Sequence, residues 1–374
     1  MNQSYSMLLN NISIINYRSI SDVELELSPK INCFIGRNGV GKTNLLDAIY
    51  YLSFCKSAIN PSDSQHIRHE EPFFMLKGAY MSDKGVAEEF SCGLKRGDKK
   101  QFKRNKKSYD KLSEHIGLVP LVMVSPADYN LISGGSDERR RFMDVVISQY
   151  DKEYLHSLIR YNKALMQRNV MLRSGNELDP EMMSLVEYMM AQEAVKVYEG
   201  RSRFVEQLIP LFQLFYKEIA GADEVVSLSY RSTLSEYSLA EHLAASRYDD
   251  HRVGYTTKGV HKDELVMQLN GYPIKKEGSQ GQNKSYLVAL KLAQFDFLHQ
   301  CSGETPLLLL DDIFDKLDSG RVEQIVRLVS GERFGQIFIT DVNRDHTDAI
   351  LESIDRDYKL FEVAGGGARL IKEK

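Results

Sequence analysis

The sequence predicts an α/β fold with mixed β-sheets around one central helix, joined to a mostly helical second lobe. Two observations lead to this prediction. Short apolar runs typical of buried strands occur near both ends of the chain, whereas the middle has apolar residues at helical spacing. The length of 374 residues and the apolar content of 43% allow more than one domain with a substantial core. We expect lobe I to comprise residues 1–124 and 300–374, and lobe II to comprise residues 125–299.

The first strands come before residue 95. Leu8–Ile14 is predicted as the first strand, and a second one follows up to Leu27, because apolar and acidic residues alternate along it. Ile31–Ile35 is a short and largely apolar run that predicts a buried strand. Phe73–Tyr80 and Glu88–Leu94 are predicted to pair as two further strands.

A glycine-rich loop follows the strand at 31–35. It has the form G-x-x-x-x-G-K-[ST], and a helix is predicted behind it over Lys42–Phe54. Strand, loop and helix together bind phosphate, because backbone N–H groups and the helix N-terminus face the anion. We expect Lys42 to reach the β- and γ-phosphates and to act in catalysis, and Thr43 to hold a magnesium ion. The predicted nucleotide contacts are Gly36, Arg37, Asn38, Gly39, Val40, Gly41, Lys42, Thr43 and Asn44.

The most basic segment lies between residues 95 and 107. It carries lysines and arginines against a single acid, Asp98. The whole chain has a formal net charge of −4, so binding to nucleic acid would require a local patch of this kind. A solvated hairpin tip explains the segment equally well, and the sequence leaves both interpretations open. The predicted DNA contacts are Lys99, Lys100, Lys103 and Arg104.

The middle of the chain is predicted to be mainly helical. Leu118–Val124 is a further buried strand, after which apolar residues recur at helical spacing. A break near residue 175 separates this region from a second helical run, Glu181–Ile219, so the two runs should form an antiparallel hairpin. Strands return at Val225–Tyr230, and Asn270-Gly271 predicts a type I′ hairpin turn.

Two carboxylates end the next buried strand. Pro306 precedes four leucines, and Asp311 and Asp312 follow them. An acid at the end of such a strand, downstream of a phosphate-binding loop, is typical of a magnesium-coordinating position. We expect Asp311 to organise the magnesium shell and Asp312 to orient or deprotonate the attacking water; a strand that simply ends in polar residues is the alternative. Leu317-Asp318 lies where ABC-type ATPases carry a dimer-contact loop.

A second phosphate-binding site is predicted at the N-terminus of the helix that precedes Pro306. A serine and a glycine stand at that N-terminus, where backbone N–H groups can bind an anion. One nucleotide cannot easily use both helix ends of one subunit. We therefore expect a dimer in which this segment closes on the ATP of the partner. Ser133–Ser136 looks even more like the ABC signature, but it lies far upstream of Asp311 and is interpreted as a glycine turn before a helix. The predicted signature contacts are Ser279, Gln280, Gly281 and Gln282.

Seven segments belong together: Asn16–Arg18, Gly36–Tyr50, Ser125–Asp128, Arg140–Asp144, Gly259–Leu265, Ser279–Gln282 and Leu308–Asp318. In this order they resemble the RecF family of bacterial recombination-repair ATPases, which is related to SMC-type heads. The resemblance runs nearly from one end of the chain to the other. Taken together the segments are highly specific, which a phosphate-binding loop alone is not.

The resemblance implies an ABC-type P-loop ATPase head that uses ATP and Mg²⁺, dimerises on ATP and binds double-stranded DNA near single-strand gaps. It also implies RecR as a partner, help in the loading of RecA, and a part in replication restart and the SOS response. We expect a weak, DNA-stimulated ATPase, and three departures from general ABC ATPases indicate slow hydrolysis, more switch than motor. No clear Q-loop glutamine follows Val124, Asp341 stands where a switch histidine is usual, and Asp312 is shorter than the usual glutamate. Whether Ser125–Asp128 or Asp341 takes over these roles stays open.

Three other protein classes share parts of this pattern. A transporter subunit needs a membrane partner and usually the switch histidine. An SMC-like clamp needs very long coiled-coil arms, whereas residues 136–220 allow only a short hairpin. An overcoming-lysogenization-type nuclease needs a second acidic metal-binding domain after the head, for which the chain is too short. The four cysteines form no C-x-x-C pair, and no apolar run approaches the roughly 20 residues of a membrane helix. We expect no signal peptide, because Met1–Asn11 is too polar. We therefore expect a cytoplasmic protein without a membrane partner.

Overall fold

The computed structural model describes residues 6–174, 179–220, 224–235, 238–313, 319–329, 331, 333–342, 351 and 356–374. The strands in these residues are β1 (Met7–Tyr17), β2 (Ile20–Glu26), β3 (Ile31–Ile35), β4 (Phe73–Ser82), β5 (Ala87–Lys95), β6 (Gln101–Arg104), β7 (Lys107–Ser108), β8 (Leu121–Val124), β9 (Val226–Arg231), β10 (Glu264–Leu269), β11 (Tyr272–Pro273), β12 (Leu307–Asp311), β13 (Ile337–Asp341), β14 (Tyr358–Ala364) and β15 (Gly367–Glu373). The helices are α1 (Lys42–Phe54), α2 (Asn130–Ser133), α3 (Ser136–Tyr150), α4 (Lys152–Arg173), α5 (Pro180–Ala220), α6 (Leu239–Val253), α7 (Ile274–Glu277), α8 (Gln280–Ser302) and α9 (Ser319–Val329).

The chain divides into two compact units. Unit 1 comprises Met1–Asp128, Glu218–Gly221 and Gln280–Lys374, and unit 2 comprises Tyr129–Lys217 and Ala222–Ser279. The expected lobe boundaries at residues 124 and 299 therefore need correction, because α8 belongs to unit 1. Nearly every residue of α8 from Asn283 to Leu298 is buried, and the helix contacts β8. The helical pattern of its sequence alone predicts a place in the helical lobe.

A largely parallel sheet carries the phosphate-binding loop of unit 1. Its strand order is β15-β14-β3-β13-β12-β8, and only β15 runs antiparallel to its neighbour. All residues of β3, β8, β12 and β13 are buried, as expected for parallel strands covered on both faces. The carboxyl ends of β3, β13 and β12 meet at one edge of this sheet, which is where α/β folds bind ligands.

The second sheet of unit 1 is antiparallel, with strand order β2-β1-β4-β5-β6-β7. Burial alternates along β4 and β5, so one face of this sheet packs on the core and the other faces water. The predicted strands at 8–14, 73–80 and 88–94 are confirmed, each a few residues longer than expected. The bounds predicted for β3 and α1 are those observed.

Unit 2 combines helices α2–α7 with a small sheet of order β11-β10-β9. The predicted antiparallel hairpin is confirmed by three ion pairs between α4 and α5. Residues later in α4 pair with residues earlier in α5, so the two helices run in opposite directions. These ion pairs join Glu153 to Lys196, Arg160 to Glu193, and Arg168 to Glu187. The turn Asn270-Gly271 has φ values of 51° and 81°, as a type I′ turn requires.

Candidate nucleotide-binding site

The loop after β3 needs glycine at two positions for different reasons. Gly41 has a φ of 111°, and a Cβ atom there would lie 2.5 Å from Ser19 Oγ. A Cβ atom at Gly36 would lie 2.5 Å from the carbonyl oxygen of Val363. The two glycines therefore allow the loop to turn into α1 while it touches its neighbours.

Helix α1 presents an uncapped N-terminus to this loop. No side chain accepts a hydrogen bond at its N-cap, Gly41, and its first turn contains no acidic residue. The helix end therefore keeps the partial positive charge of its unpaired N–H groups. Such an end favours anions, and phosphate groups in particular.

The Lys42 side chain lies inside the loop. Its Nζ donates to the carbonyl oxygens of Gly36 at 2.8 Å and of Arg37 at 3.1 Å. Burial lowers the pKa of the Lys42 ammonium, and three aspartates at the ends of β12 and β13 oppose this effect. The ammonium group is thus hydrogen-bonded to neutral carbonyl groups. A phosphate group, which is negatively charged, can replace them as its partner.

Asp311, the last residue of β12, contacts the loop directly. Its Oδ1 accepts from Thr43 Oγ1 at 3.1 Å and from Thr340 Oγ1 at 2.7 Å. Burial raises the pKa of the Asp311 carboxyl, whereas the two hydroxyl groups lower it. Hydroxyl and carboxylate oxygens are the donors that Mg²⁺ prefers, so Thr43 and Asp311 fit the predicted metal position.

Asp312 follows β12 in a backbone conformation that is unusual for aspartate. Its φ is 49°, in the left-handed region, and its N–H donates to Thr340 Oγ1 at 2.9 Å. The structure brings both acids to the phosphate-binding loop. The resulting cleft is lined by Asn38, Gly39, Gly41, Lys42, Thr43, Asn44, Asp311 and Asp312.

Residues near the cleft that the sequence analysis did not assign come from β13 and from the turn after β1. Arg18 donates to Asn44 Oδ1 at 3.4 Å, and Asn44 Nδ2 donates to Ser19 Oγ at 2.7 Å. Arg18 belongs to the N-Y-R segment, which was a signal that could have pointed here. Thr340 had no such signal, because its place depends on the strand order.

The signature segment lies at the start of α8. Ser279 precedes the helix, and Gln280, Gly281 and Gln282 form its first residues. None of these three helical residues lines the cleft that contains Lys42. Their contact with the nucleotide of a partner stays a prediction.

Two related expectations concern other loops. Ser133–Ser136 was interpreted as a turn before a helix, and α3 does begin at Ser136 with Gly135 as its N-cap. Leu317-Asp318, expected in a dimer-contact loop, lies outside the described residues.

The segments that could replace the missing Q-loop and switch histidine differ in their surroundings. Asp128 accepts from the Ser125 N–H at 2.7 Å and pairs with Lys291 of α8 at 2.7 Å. Asp341 ends β13, and its charge acts on Lys42 in the cleft. By position Asp341 is the nearer substitute, although its role stays open.

The basic segment forms the β5–β6 hairpin and the turn after it, and its four predicted DNA contacts differ. Lys100 pairs with Asp63 at 2.8 Å, and Arg104 pairs with Glu88. Lys99 is exposed and Lys103 is half-buried, and neither forms an ion pair with a described residue. The structure thus commits Lys100 and Arg104 to internal pairs and leaves the other two available.

Among the described residues, the structure contains no helix long and apolar enough to cross a membrane.

Comparison with known proteins places the chain in context. Residues 7–170 match the AAA ATPase domain family. The DNA replication and repair protein RecF of Phocaeicola vulgatus is 63% identical over 98% of this chain and 99% of its own length. RecF of Porphyromonas gingivalis is 50% identical over 96% of this chain and 99% of its own length.

The solved structures agree. The recombination mediator protein RecF-ATP of the RecFOR pathway matches with a TM-score of 0.88 at 28% identity, over 99% of both chains. The Smc head domain of Pyrococcus furiosus matches with a TM-score of 0.59 at 13% identity, over 98% of this chain and 96% of the other, and so shows the fold alone. The predicted ABC-type P-loop ATPase head is confirmed by these matches.

Proposed function

Because the chain belongs to the RecF family, we propose that it is an ATP-dependent DNA-binding protein of recombinational repair and replication. The observation that carries this proposal is the convergence of Lys42, Asp311 and Asp312 on one cleft beside an uncapped helix N-terminus. The similarity to the RecF-ATP structure supports ATP as the ligand of this cleft.

The cleft residues divide the work on ATP. The loop Gly36–Asn44 and the N-terminus of α1 bind the phosphates, and Lys42 exchanges its carbonyl partners for phosphate oxygens. Thr43 and Asp311 would hold Mg²⁺, which would supply charge neutralisation on the phosphates. Asp312 orients or deprotonates the attacking water.

Hydrolysis at this site is slow and DNA-stimulated, so the protein is a switch rather than a motor. The usual glutamate and switch histidine are replaced by Asp312 and Asp341. A shorter carboxylate holds the attacking water less closely, and an aspartate cannot donate a proton as an imidazolium does.

Binding of ATP drives formation of a homodimer. Gln280, Gly281 and Gln282 do not line the cleft of their own chain, which supports a role for Ser279–Gln282 at the ATP of the partner. Such a dimer closes on duplex DNA near single-strand gaps, where it helps a RecR-type mediator to load RecA and is needed for induction of the SOS response. Lys99 and Lys103 are the available cations of the predicted DNA contacts.

The nucleotide assignment is tested with two variants. Lys42→Ala should lose ATP binding, whereas Asp312→Asn should keep binding and lose hydrolysis, because the first side chain contacts phosphate and the second serves the water. Filter binding and phosphate release measure the two properties. Lys111→Ala, at an exposed lysine, is the control. Tight ATP binding by Lys42→Ala would contradict the assignment of the loop.

The composite site is tested by mixing two inactive proteins. Lys42→Ala and Ser279→Arg homodimers should each be inactive, but a mixed dimer contains one interface with an intact loop and an intact signature segment. Mixing should therefore restore some DNA-stimulated hydrolysis. About half of the dimers are mixed under random pairing, so cross-linking with ATP serves as a second readout. Absence of both activity and cross-linked heterodimer, while the wild type dimerises, would exclude the composite site.

Sedimentation velocity tests the association with DNA. With ATP and a gapped duplex, the wild type should sediment as a dimer on DNA, and with ADP the dimer should be lost. An unchanged sedimentation coefficient under all conditions would contradict ATP-driven dimerisation.

A further inference from the structure

The hydroxyl group of Thr340 joins the two acids of the cleft. It donates to Asp311 Oδ1 at 2.7 Å and accepts from the Asp312 N–H at 2.9 Å. Thr340 is 0% exposed, so water does not compete for either bond. One buried hydroxyl group therefore uses its single donor on one acid and an acceptor lone pair on the next.

The strand order brings Thr340 to this place. β13 lies between β3 and β12, and Thr340 is in register with Phe34 on one side and Asp311 on the other. The hydroxyl group therefore lies one strand away from both the phosphate-binding loop and the acids. The same Asp311 oxygen also accepts from Thr43, so loop, middle strand and acid form one connected network.

The hydrogen bond between the Asp312 N–H and Thr340 stabilises an unfavourable backbone conformation. A φ of 49° is unfavourable for an aspartate by about 1–3 kcal/mol and persists only when its surroundings hold it. In this turn the Asp312 N–H is bound by Thr340 rather than by a neighbouring strand. Loss of that acceptor would let Asp312 relax and would change the direction of its carboxylate.

We propose that Thr340 is a positioning residue of the ATPase site, which fixes Asp311 for the metal and Asp312 for the attacking water. This inference rests on the proposed function. Thr340 is not among the residues that line the cleft, so it acts through the two acids. The hydroxyl group is the essential part, and the methyl group is not.

The test compares Thr340→Val, which keeps the shape and loses the hydroxyl group, with Thr340→Ser, which keeps the hydroxyl group. Thr256→Val in unit 2 is the matched control, because Thr256 is also a buried threonine with hydrogen-bonded partners. The readouts are binding of a fluorescent ATP analogue in EDTA, its dependence on Mg²⁺ concentration, and kcat and KM for hydrolysis.

For Thr340→Val we expect nucleotide binding in EDTA to stay within about threefold of the wild type. The Mg²⁺ concentration for half-saturation should rise on the order of tenfold, as for lost outer-shell partners of metal ligands. The value of kcat should fall on the order of 100-fold because the Asp312 carboxylate is misplaced. Thr340→Ser should restore both, and Thr256→Val should change neither.

Three results would overturn the inference. One is a Thr340→Val protein with the Mg²⁺ dependence and kcat of the wild type. Another is a Thr340→Ser protein as impaired as Thr340→Val, since shape rather than the hydroxyl group would then matter. The third is an equal loss in Thr256→Val, which would indicate general destabilisation. Should Thr340→Val not fold, Thr340→Ala replaces it, with the same expected results. A wild type that binds no Mg²⁺–ATP would instead overturn the proposed function, and this inference with it.

Discussion

The buried cations Arg201 in unit 2 and Lys42 in unit 1 differ in their partners. In unit 2, Arg201 is buried and bound on all sides: it donates to both oxygens of Asp144, to Asp263 at 3.0 Å and to the carbonyl oxygen of Val260 at 2.7 Å. In the cleft of unit 1, the hydrogen-bond partners of Lys42 among the described residues are main-chain carbonyl groups, although aspartates lie nearby. Buried charges that pair with one another hold the fold together, whereas a buried charge that rests only on neutral groups, such as Lys42, fits a place where an anionic ligand binds.

The basic hairpin of unit 1 contains both kinds of charge. Lys100 and Arg104 are paired with Asp63 and Glu88, so they resemble the Arg201 cluster. Lys99 and Lys103 are more exposed than Lys42, but like it they have no ion pair with the described residues. The comparison therefore divides the four predicted DNA contacts into two structural and two available residues. The following predictions test this division.

The largest effect is expected at Arg201. Arg201→Met should lower the free energy of unfolding by about 3–5 kcal/mol, because Asp263 would keep a buried charge, and Asp144 a partly buried one, without a cation. Urea unfolding followed by circular dichroism measures this loss. Arg203→Met, at an exposed arginine two residues further on, is the control and should change stability by less than about 0.5 kcal/mol. Equal losses in the two variants would contradict a structural role for the cluster.

The second-largest effect is expected on ATP binding, after substitution of Gly41. Gly41→Ala should weaken ATP binding on the order of 100-fold, because a Cβ atom meets Ser19 Oγ and the φ of 111° is strained, so the loop must move. Gly39→Ala is the matched control: its φ is 81°, but its Cβ atom would meet nothing within 4 Å. Isothermal titration calorimetry should rank wild type, Gly39→Ala and Gly41→Ala in this order. The reverse order of the two variants would contradict the role of close contact in shaping the loop.

The next effect is a loss of stability at low pH, which we attribute to His261 in unit 2. The ring is bonded to Tyr161 at 2.7 Å and to the carbonyl oxygen of Thr256 at 3.0 Å, and burial lowers the pKa of His261 to about 4. The unfolded chain binds a proton near pH 6.5 and the folded chain does not, so stability should fall by about 2–3 kcal/mol between pH 6.5 and 4. His261→Gln should flatten this part of the unfolding profile, whereas His156→Gln, at an exposed histidine, should not. An unchanged slope in His261→Gln would assign the acid sensitivity to other groups.

The smallest effect is expected on the hairpin. Lys99→Glu with Lys103→Glu should weaken duplex binding about tenfold and reduce its salt dependence, because fewer counterions are released, while stability stays unchanged. Lys100→Glu with Arg104→Glu should instead lower stability, since Asp63 and Glu88 lose their partners. Anisotropy titrations with a labelled duplex and thermal unfolding separate these two outcomes. Duplex affinity of the first double variant equal to that of the wild type would favour the solvated-hairpin interpretation.

Structural features that depend on residues close together in the sequence could be predicted. The bounds of β3 and α1 follow from an apolar run, a glycine loop and a helical pattern that stand side by side. Thr340 could not be found in this way, because its bonds to Asp311 and Asp312 exist only once β13 lies beside β12. The same holds for Lys100 and Arg104, whose carboxylate partners are set by strand pairing. The place of α8 also depends on packing against a distant strand.

The position of β3 in its sheet has a consequence for how the protein is made. β3 leaves the ribosome early, but its two neighbours, β13 and β14, are among the last strands to be synthesised. Until β13 has emerged, Asp311 lacks Thr340, and until β14 has emerged, β3 lacks the second of its two neighbouring strands. A chain that ends before β13 lacks both neighbours of β3 as well as Thr340, so we expect it to bind ATP more weakly than the whole chain.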